Sequence, residues 1–266
     1  MSELIAGLMI PPEVEERLGE IPALSPAERM NAEPGTLDDG VNCPVCRNKG
    51  YVARELEDGS LVTRPCRCME QRKAKRLIGQ SGLGDLLESC TLKSFQTPDE
   101  WTKRALDKAV DYCKNGRGSW FYVSGRPGTG KTHLCTGICR YLLNHGAPVR
   151  YFLWREDAPK LKALVNDAEE YERRFRDLAS VPVLYIDDFL KGTVTDADLN
   201  LAFSLINARY NQKHCRTIFS SERTIRDVRS YDEAVGGRIM QRADRYILNA
   251  PHDAKDFRAA GKEEHE

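Results

Sequence analysis

Gly125-Arg126-Pro127-Gly128-Thr129-Gly130-Lys131-Thr132 is the stretch whose residue types and spacing can most directly do chemistry. It matches G-x-x-x-x-G-K-[ST], follows the apolar run Trp120-Phe121-Tyr122-Val123 and precedes a helical pattern from Leu134 to Leu143. Strand, glycine-rich loop and helix in that order form a phosphate cradle. Glycines let several backbone N–H groups converge on one anion, and the helix adds its positive N-terminal end. Lys131 is expected to reach the β- and γ-phosphates, and the Thr132 hydroxyl to ligate Mg²⁺. The expected nucleotide-binding set is Gly125, Arg126, Pro127, Gly128, Thr129, Gly130, Lys131, Thr132 and His133.

A second constellation completes such a site. Val181-Pro182-Val183-Leu184-Tyr185-Ile186 reads as a buried strand that ends in Asp187-Asp188, a Walker B pattern. An apolar strand drives carboxylates to its C-terminal edge, where ligands sit in parallel sheets. Asp187 is expected to hold Mg²⁺, mostly through water, and Asp188 to orient or deprotonate the attacking water. Thr217-Ile218-Phe219 reads as a further strand ending in Ser220-Ser221, where a hydroxyl could contact the γ-phosphate or the water; a plain strand end is the alternative. Arg238 and Arg242 lie four residues apart on one helix face.

A different chemistry precedes these motifs. Cys43-Pro44-Val45-Cys46 and Cys66-Arg67-Cys68 flank two short strand patterns, at 50–53 and 59–63, joined by Glu57-Asp58-Gly59. A hairpin with an Asp-Gly turn brings the cysteine pairs together. Four thiolates then suit a tetrahedral zinc ion, whose binding energy supplies what so small a core lacks. The second pair is C-x-C rather than C-x-x-C. Cys90, Cys113, Cys135, Cys139 and Cys215 read as core thiols.

These residues need a scaffold. At 266 residues the chain holds one full α/β domain and a smaller piece; 41% apolar and 30% charged residues suit a soluble globular protein. The zero formal net charge leaves nucleic-acid binding to local patches. No apolar run is long enough to span a bilayer, and the start lacks a basic n-region, which places the chain in the cytoplasm with reduced thiols. Residues 1–40 read as an arm of short helices or a poorly ordered leader, with a capping box at Ser25-Pro26-Ala27-Glu28. Residues 41–89 read as a zinc-ribbon-like domain and a basic helix (Glu70 to Ile78) that meets phosphates or an acidic partner or is plainly solvated.

Residues 90–266 read as the ATPase domain. Thr97-Pro98-Asp99-Glu100 caps a helix that Gly116 ends. A strand at 148–154, a helix at 156–179, a helix capped by Thr195, a helix from Gly236 and a strand at 246–248 follow. The predicted fold class is α/β: a five-stranded parallel sheet between helices, with the small zinc domain ahead of it.

In this order the parts resemble the DnaC/DnaI-type replicative helicase loaders of the AAA+, IstB/DnaC-like superfamily, including phage and mobile-element versions. The resemblance covers roughly residues 40 to 260. It rests on the cysteine cluster before a basic helix, Gly125 to Thr132, Leu184-Tyr185-Ile186-Asp187-Asp188-Phe189 and Gly237-Arg238-Ile239-Met240-Gln241-Arg242. It implies a loader of a hexameric replicative helicase onto single-stranded DNA, binding ATP and Mg²⁺, with slow hydrolysis stimulated by DNA or the partner. It also implies homo-oligomers, a zinc-bearing part that docks on the helicase, and a segment after Trp154 that faces DNA. Arg238 and Arg242 match the region of the arginine finger, Arg242 more closely, and Asp256-Phe257-Arg258 makes Arg258 a sensor 2 candidate. Two departures stand out: Ser221-Glu222 where Ser-Asn is common, so that the sensor role passes to Ser220 or Ser221, and Asp188 where glutamate is common. The alternative is an IstB-like transposition ATPase that binds DNA and recruits a transposase.

Overall fold

The computed structural model describes residues 24–260, and the chain divides into two compact units, Met1–Met69 and Glu70–Glu266, each taken by itself below. The expected arm before Leu24 lies outside the described residues.

In the first unit, helix α1 (Pro26–Ala32) starts at Ser25 with the expected capping box. Asn31 carries it onto strand β1 (Tyr51–Glu55): its side chain donates to the Ala53 carbonyl at 2.9 Å and accepts from the Ala53 N–H at 2.8 Å. β1 pairs antiparallel with β2 (Leu61–Pro65), Tyr51 opposite Pro65 and Glu55 opposite Leu61. The predicted hairpin is present, with Asp58 accepting from the Ser60 N–H inside its turn. Helix α2 (Cys68–Gln80) begins at the last cysteine.

The division at Met69 differs from the expected boundary near residue 89. Leu77 of α2, then Leu83 and Leu87, the latter in α3 (Leu86–Ser89), are buried in one apolar cluster with Leu134, Ile138 and Leu142. Apolar packing thus assigns 70–89 to the ATPase unit.

That unit is built on a five-stranded parallel sheet of order β4-β5-β6-β3-β7: β3 (Phe121–Ser124), β4 (Val149–Leu153), β5 (Val183–Asp187), β6 (Arg216–Ser221) and β7 (Ile247–Asn249). Alternation from Trp120 into β3 sends Phe121 and Val123 into one buried cluster and Trp120 and Tyr122 into another. Helices α4 (Glu100–Asn115) and α5 (Lys131–Asn144) cover the first face. Helices α6 (Trp154–Ala163), α7 (Ala168–Ser180), α8 (Asp196–Tyr210), α9 (Ile225–Tyr231) and α10 (Glu233–Ala243) cover the second. A short α11 (Phe257–Ala260) follows. Parallel strands buried on both faces place their C-terminal ends together, where the motif loops emerge.

Local caps decide several helix limits. The α4 cap is Asp99, not Thr97: its carboxylate accepts from the Thr102 N–H at 2.7 Å, so Pro98 lies outside the helix. The stretch expected as one helix over 156–179 is two, because Asp167 accepts from the Glu170 N–H and starts a new one. Asp232 starts α10 before the expected Gly236 in the same way.

Candidate functional site

The loop after β3 wraps a cavity of about 420 Å³. Gly128 (φ +82°) and Gly130 (φ +85°) hold left-handed backbone, and a Cβ on Gly128 would strike the Asp256 carboxylate. Pro127, Gly128, Gly130, Lys131, Thr132, His133 and Arg258 line the cavity, with Asp188, Lys191 and Glu222. Gly125, Arg126 and Thr129 support it: Thr129 Oγ1 donates to the Arg126 carbonyl at 2.9 Å, and Arg126 reaches the His252 carbonyl. Lys131 Nζ donates to the Gly125 and Arg126 carbonyls, each at 2.8 Å. Burial pulls its ammonium below the ordinary value; the Glu222 and Asp188 carboxylates oppose that pull.

Asp187 is buried at the end of β5 and held by four donors. Thr132 Oγ1 lies 3.4 Å from its Oδ1, the Tyr151 hydroxyl donates to its Oδ2 at 3.0 Å, and the Ser220 hydroxyl and Asp188 N–H donate to Oδ1. Burial and the Asp187 charge push the Tyr151 phenol up, so it remains a donor. A hydroxyl and a carboxylate side by side at the phosphate end form the oxygen donor set a hard divalent cation takes. Thr132 and Asp187 therefore fit Mg²⁺.

Leu86, Phe95 and Phe257 add apolar wall to the cavity, and a Cβ on Gly130 would meet the Phe95 ring at 3.1 Å. His133 fastens this wall: its Nε2 lies 2.9 Å from the Thr91 carbonyl and 3.1 Å from Ser94 Oγ, and its ring meets Phe95 edge-on. A cavity that joins apolar rings to a glycine loop and a lysine suits a nucleotide. No periodicity marked Leu86, Cys90, Phe95 and Gln96, which reach the cavity from ahead of the motif. Cys90 is thus a half-buried wall residue rather than a core thiol; Cys113, Cys135, Cys139 and Cys215 are buried.

Two sets of expected residues have partners that the sequence did not announce. Neither serine at the end of β6 lines the cavity. Ser221 is buried, donates to the Phe189 carbonyl at 2.7 Å and accepts from the Arg223 N–H, while Ser220 serves Asp187. Glu222 lines it instead, with Lys191 Nζ 2.9 Å from its Oε1. The Arg242 guanidinium donates to the carbonyls of Tyr210, Gly118, Gln212, Lys213 and Cys215 and lies over Trp120. Arg238 rests over Phe203 and Tyr210 and donates to the Ala234 carbonyl.

In the first unit the Cys43, Cys46, Cys66 and Cys68 sulfurs are buried and lie within 4.8 Å of one another. Cys43–Cys66 and Cys46–Cys68 are 3.8 and 3.5 Å apart, close to the roughly 3.8 Å edge that Zn–S bonds of about 2.3 Å give a tetrahedron. Burial raises the Cys46 thiol, but the Gly50 N–H and the neighbouring sulfurs outweigh it and bring it to about 6. The set fits zinc.

Sheet, loop and acidic strand edge define an AAA+ P-loop ATPase. A family model described as IstB-like ATP binding protein matches residues 69–245. The Bacillus subtilis phage-like element PBSX protein XkdC is 32% identical over 222 residues, 78% of this chain and 81% of XkdC. Bacillus subtilis YqaM is 32% identical over 201 residues, 70% of this chain but 63% of YqaM. The Escherichia coli replicative helicase loader DnaC is 26% identical over 173 residues, 64% of this chain and 69% of DnaC. The chain belongs to the IstB-like ATP binding protein family, a family of nucleotide-binding AAA+ ATPases with replication-related members. Its fold is that of DnaI (21% identity, 62% of this chain and 92% of that one, TM-score 0.51) and of DnaA bound to AMPPCP and single-stranded DNA (21%, 66% and 54%, TM-score 0.54).

Proposed function

We propose that this chain is an ATP-dependent loader that places a hexameric replicative helicase on single-stranded DNA. The observation that carries the ATP chemistry is the pairing of Thr132 with Asp187 beside the glycine loop. Backbone N–H groups and Lys131 would bind the phosphates, Thr132 would ligate Mg²⁺, and Asp187 would hold its waters. The bound Mg²⁺ would neutralise charge on the transferring phosphoryl group. Asp188 would accept a proton from the attacking water, and Arg258 at the cavity wall would meet the phosphates from the other side. Of the two late arginines, Arg238 is better placed for a neighbouring subunit's nucleotide, since Arg242 is committed to five carbonyls. That role requires oligomers.

A loader is favoured over a transposition ATPase by the four-cysteine unit. It lies ahead of the family match, which begins at residue 69. Zinc would hold that unit as a docking surface for the helicase. Turnover would be slow until DNA or helicase joins, in a protein that works in the cytoplasm; among the described residues no helix is long and apolar enough to cross a membrane.

Lys131→Ala should weaken nucleotide binding about a hundredfold or more, and abolish ATP-dependent recruitment of a replicative helicase to single-stranded circles. Wild-type turnover in that variant would reject the site. Intact nucleotide binding with capture of a transposase and no helicase would reject the loader.

A further inference from the structure

Asp188, Lys191 and Glu222 form a charged bridge on the cavity wall that neither the glycine loop nor the Thr132–Asp187 pair employs. Lys191 Nζ lies 3.1 Å from Asp188 Oδ2 and 2.9 Å from Glu222 Oε1. The turn after β5 places it there. Asp188 (φ +54°) and Leu190 (φ +53°) both hold left-handed backbone, which L residues adopt at a cost. Phe189 and Leu190 are buried, the Phe189 N–H donates to the Ser220 carbonyl at 2.9 Å, and the Lys191 N–H returns to the Asp188 carbonyl at 3.1 Å. Strain of this kind persists only where the surroundings over-determine it. Its effect here is to fold Lys191 back over the end of β6.

The charges explain why that matters. Asp188 and Glu222 line the cavity into which a γ-phosphate must come, and like charges repel. Burial works against the Lys191 ammonium, but the two carboxylates outweigh it and raise it, so the cation is held firmly. An ammonium has three donors. It can stay on Glu222 and still give one to a phosphate oxygen.

We propose that Lys191 reads the γ-phosphate: in a triphosphate complex it keeps Glu222, exchanges Asp188 for a γ-oxygen, and so frees the Asp188 carboxylate for the attacking water. This rests on the ATP site proposed above. In hydrolysis the water oxygen bonds to the γ-phosphorus. The bond to the β–γ bridging oxygen breaks, with its electron pair left on the diphosphate. The proton taken by Asp188 passes to the released phosphate. With a diphosphate Lys191 stays on both carboxylates. The pair Lys191–Glu222 thus does the work of the neutral sensor expected at Ser220 or Ser221.

Calorimetry of the full chain with Mg²⁺ and either ADP or a non-hydrolysable ATP analogue tests this. Lys191→Met should weaken the triphosphate about tenfold or more and leave ADP within about twofold. Lys191→Arg should keep the triphosphate preference, which also covers the case of a Lys191→Met chain that does not fold. Lys191→Met combined with Glu222→Gln should remain impaired. Equal effects on both nucleotides, or full recovery in the double variant, would overturn the proposal, because Lys191 would then only be neutralising Glu222. Wild-type nucleotide binding in Lys131→Ala would instead remove the underlying site.

Discussion

Around the four cysteines the buried apolar side chains, among the described residues, are Ala27, Ala53 and the cysteines themselves. In the ATPase unit Trp120, Tyr122, Phe152, Trp154 and Phe219 fill one side of the sheet, and Phe121, Tyr112, Tyr185 and Tyr246 the other. Both units arrange chemically active side chains within a few ångströms, yet on different foundations. The first has little apolar surface to offset the conformational entropy of ordering its loops, a shortfall that sulfur–metal bonds would make up. The second is ordered by burial before any ligand arrives, and its ligand acts on a preformed cavity. On the proposed reading, metal would be a structural need in one unit and nucleotide a functional one in the other.

Removing zinc should break this contrast most visibly. Chelation, or Cys46→Ser, should release about one zinc per chain and cost the first unit on the order of 10 kcal/mol of binding energy. Hydrogen exchange should then show residues 51–65 unprotected, while nucleotide affinity of the ATPase unit stays within about twofold. A hairpin that keeps its protection without metal would refute the dependence.

Next in size is a change confined to the other unit. Arg209 is fully buried and donates to Thr217 and to the carbonyls of Leu178, Ala179, Val181 and Arg216. Burial lowers its guanidinium to about 10, so it stays charged at neutral pH. Arg209→Met keeps the volume and strands those acceptors, with an expected loss of about 3 kcal/mol in denaturant unfolding and no loss of zinc. An unchanged midpoint would show that water replaces the guanidinium.

The smallest effect concerns the surface. Arg173 and Arg174 hold the Glu170 carboxyl down at about 2. A depressed carboxylate stabilises above its unfolded pKa of about 4.3, and that contribution disappears as pH falls through about 2. The pair is exposed, so Glu170→Gln should move Tm at neutral pH by at most about one degree. It should flatten the stability loss between those pH values; an identical acid profile would contradict the pairing.

Much of this was legible beforehand, for a local reason. The loop, the acidic strand edge, the hairpin and the caps at Ser25 and Thr195 depend on neighbours within a few residues, and such patterns are written contiguously. The features that the sequence did not announce depend on distant partners. Nothing near Ser221 announces that Phe189 takes its hydroxyl, or near Arg242 that the Gly118 and Cys215 carbonyls surround it. Lys191 reads as an ordinary surface lysine until two left-handed residues turn it toward Glu222.

The order of residues alone thus determined which chemistries the chain can support: a triphosphate cradle, a carboxylate edge for a divalent cation, and four thiols at hairpin spacing. The tertiary structure decided which polar groups remain available to that chemistry. Backbone geometry confines a motif to its own segment, whereas the availability of a side chain depends on every element packed against it.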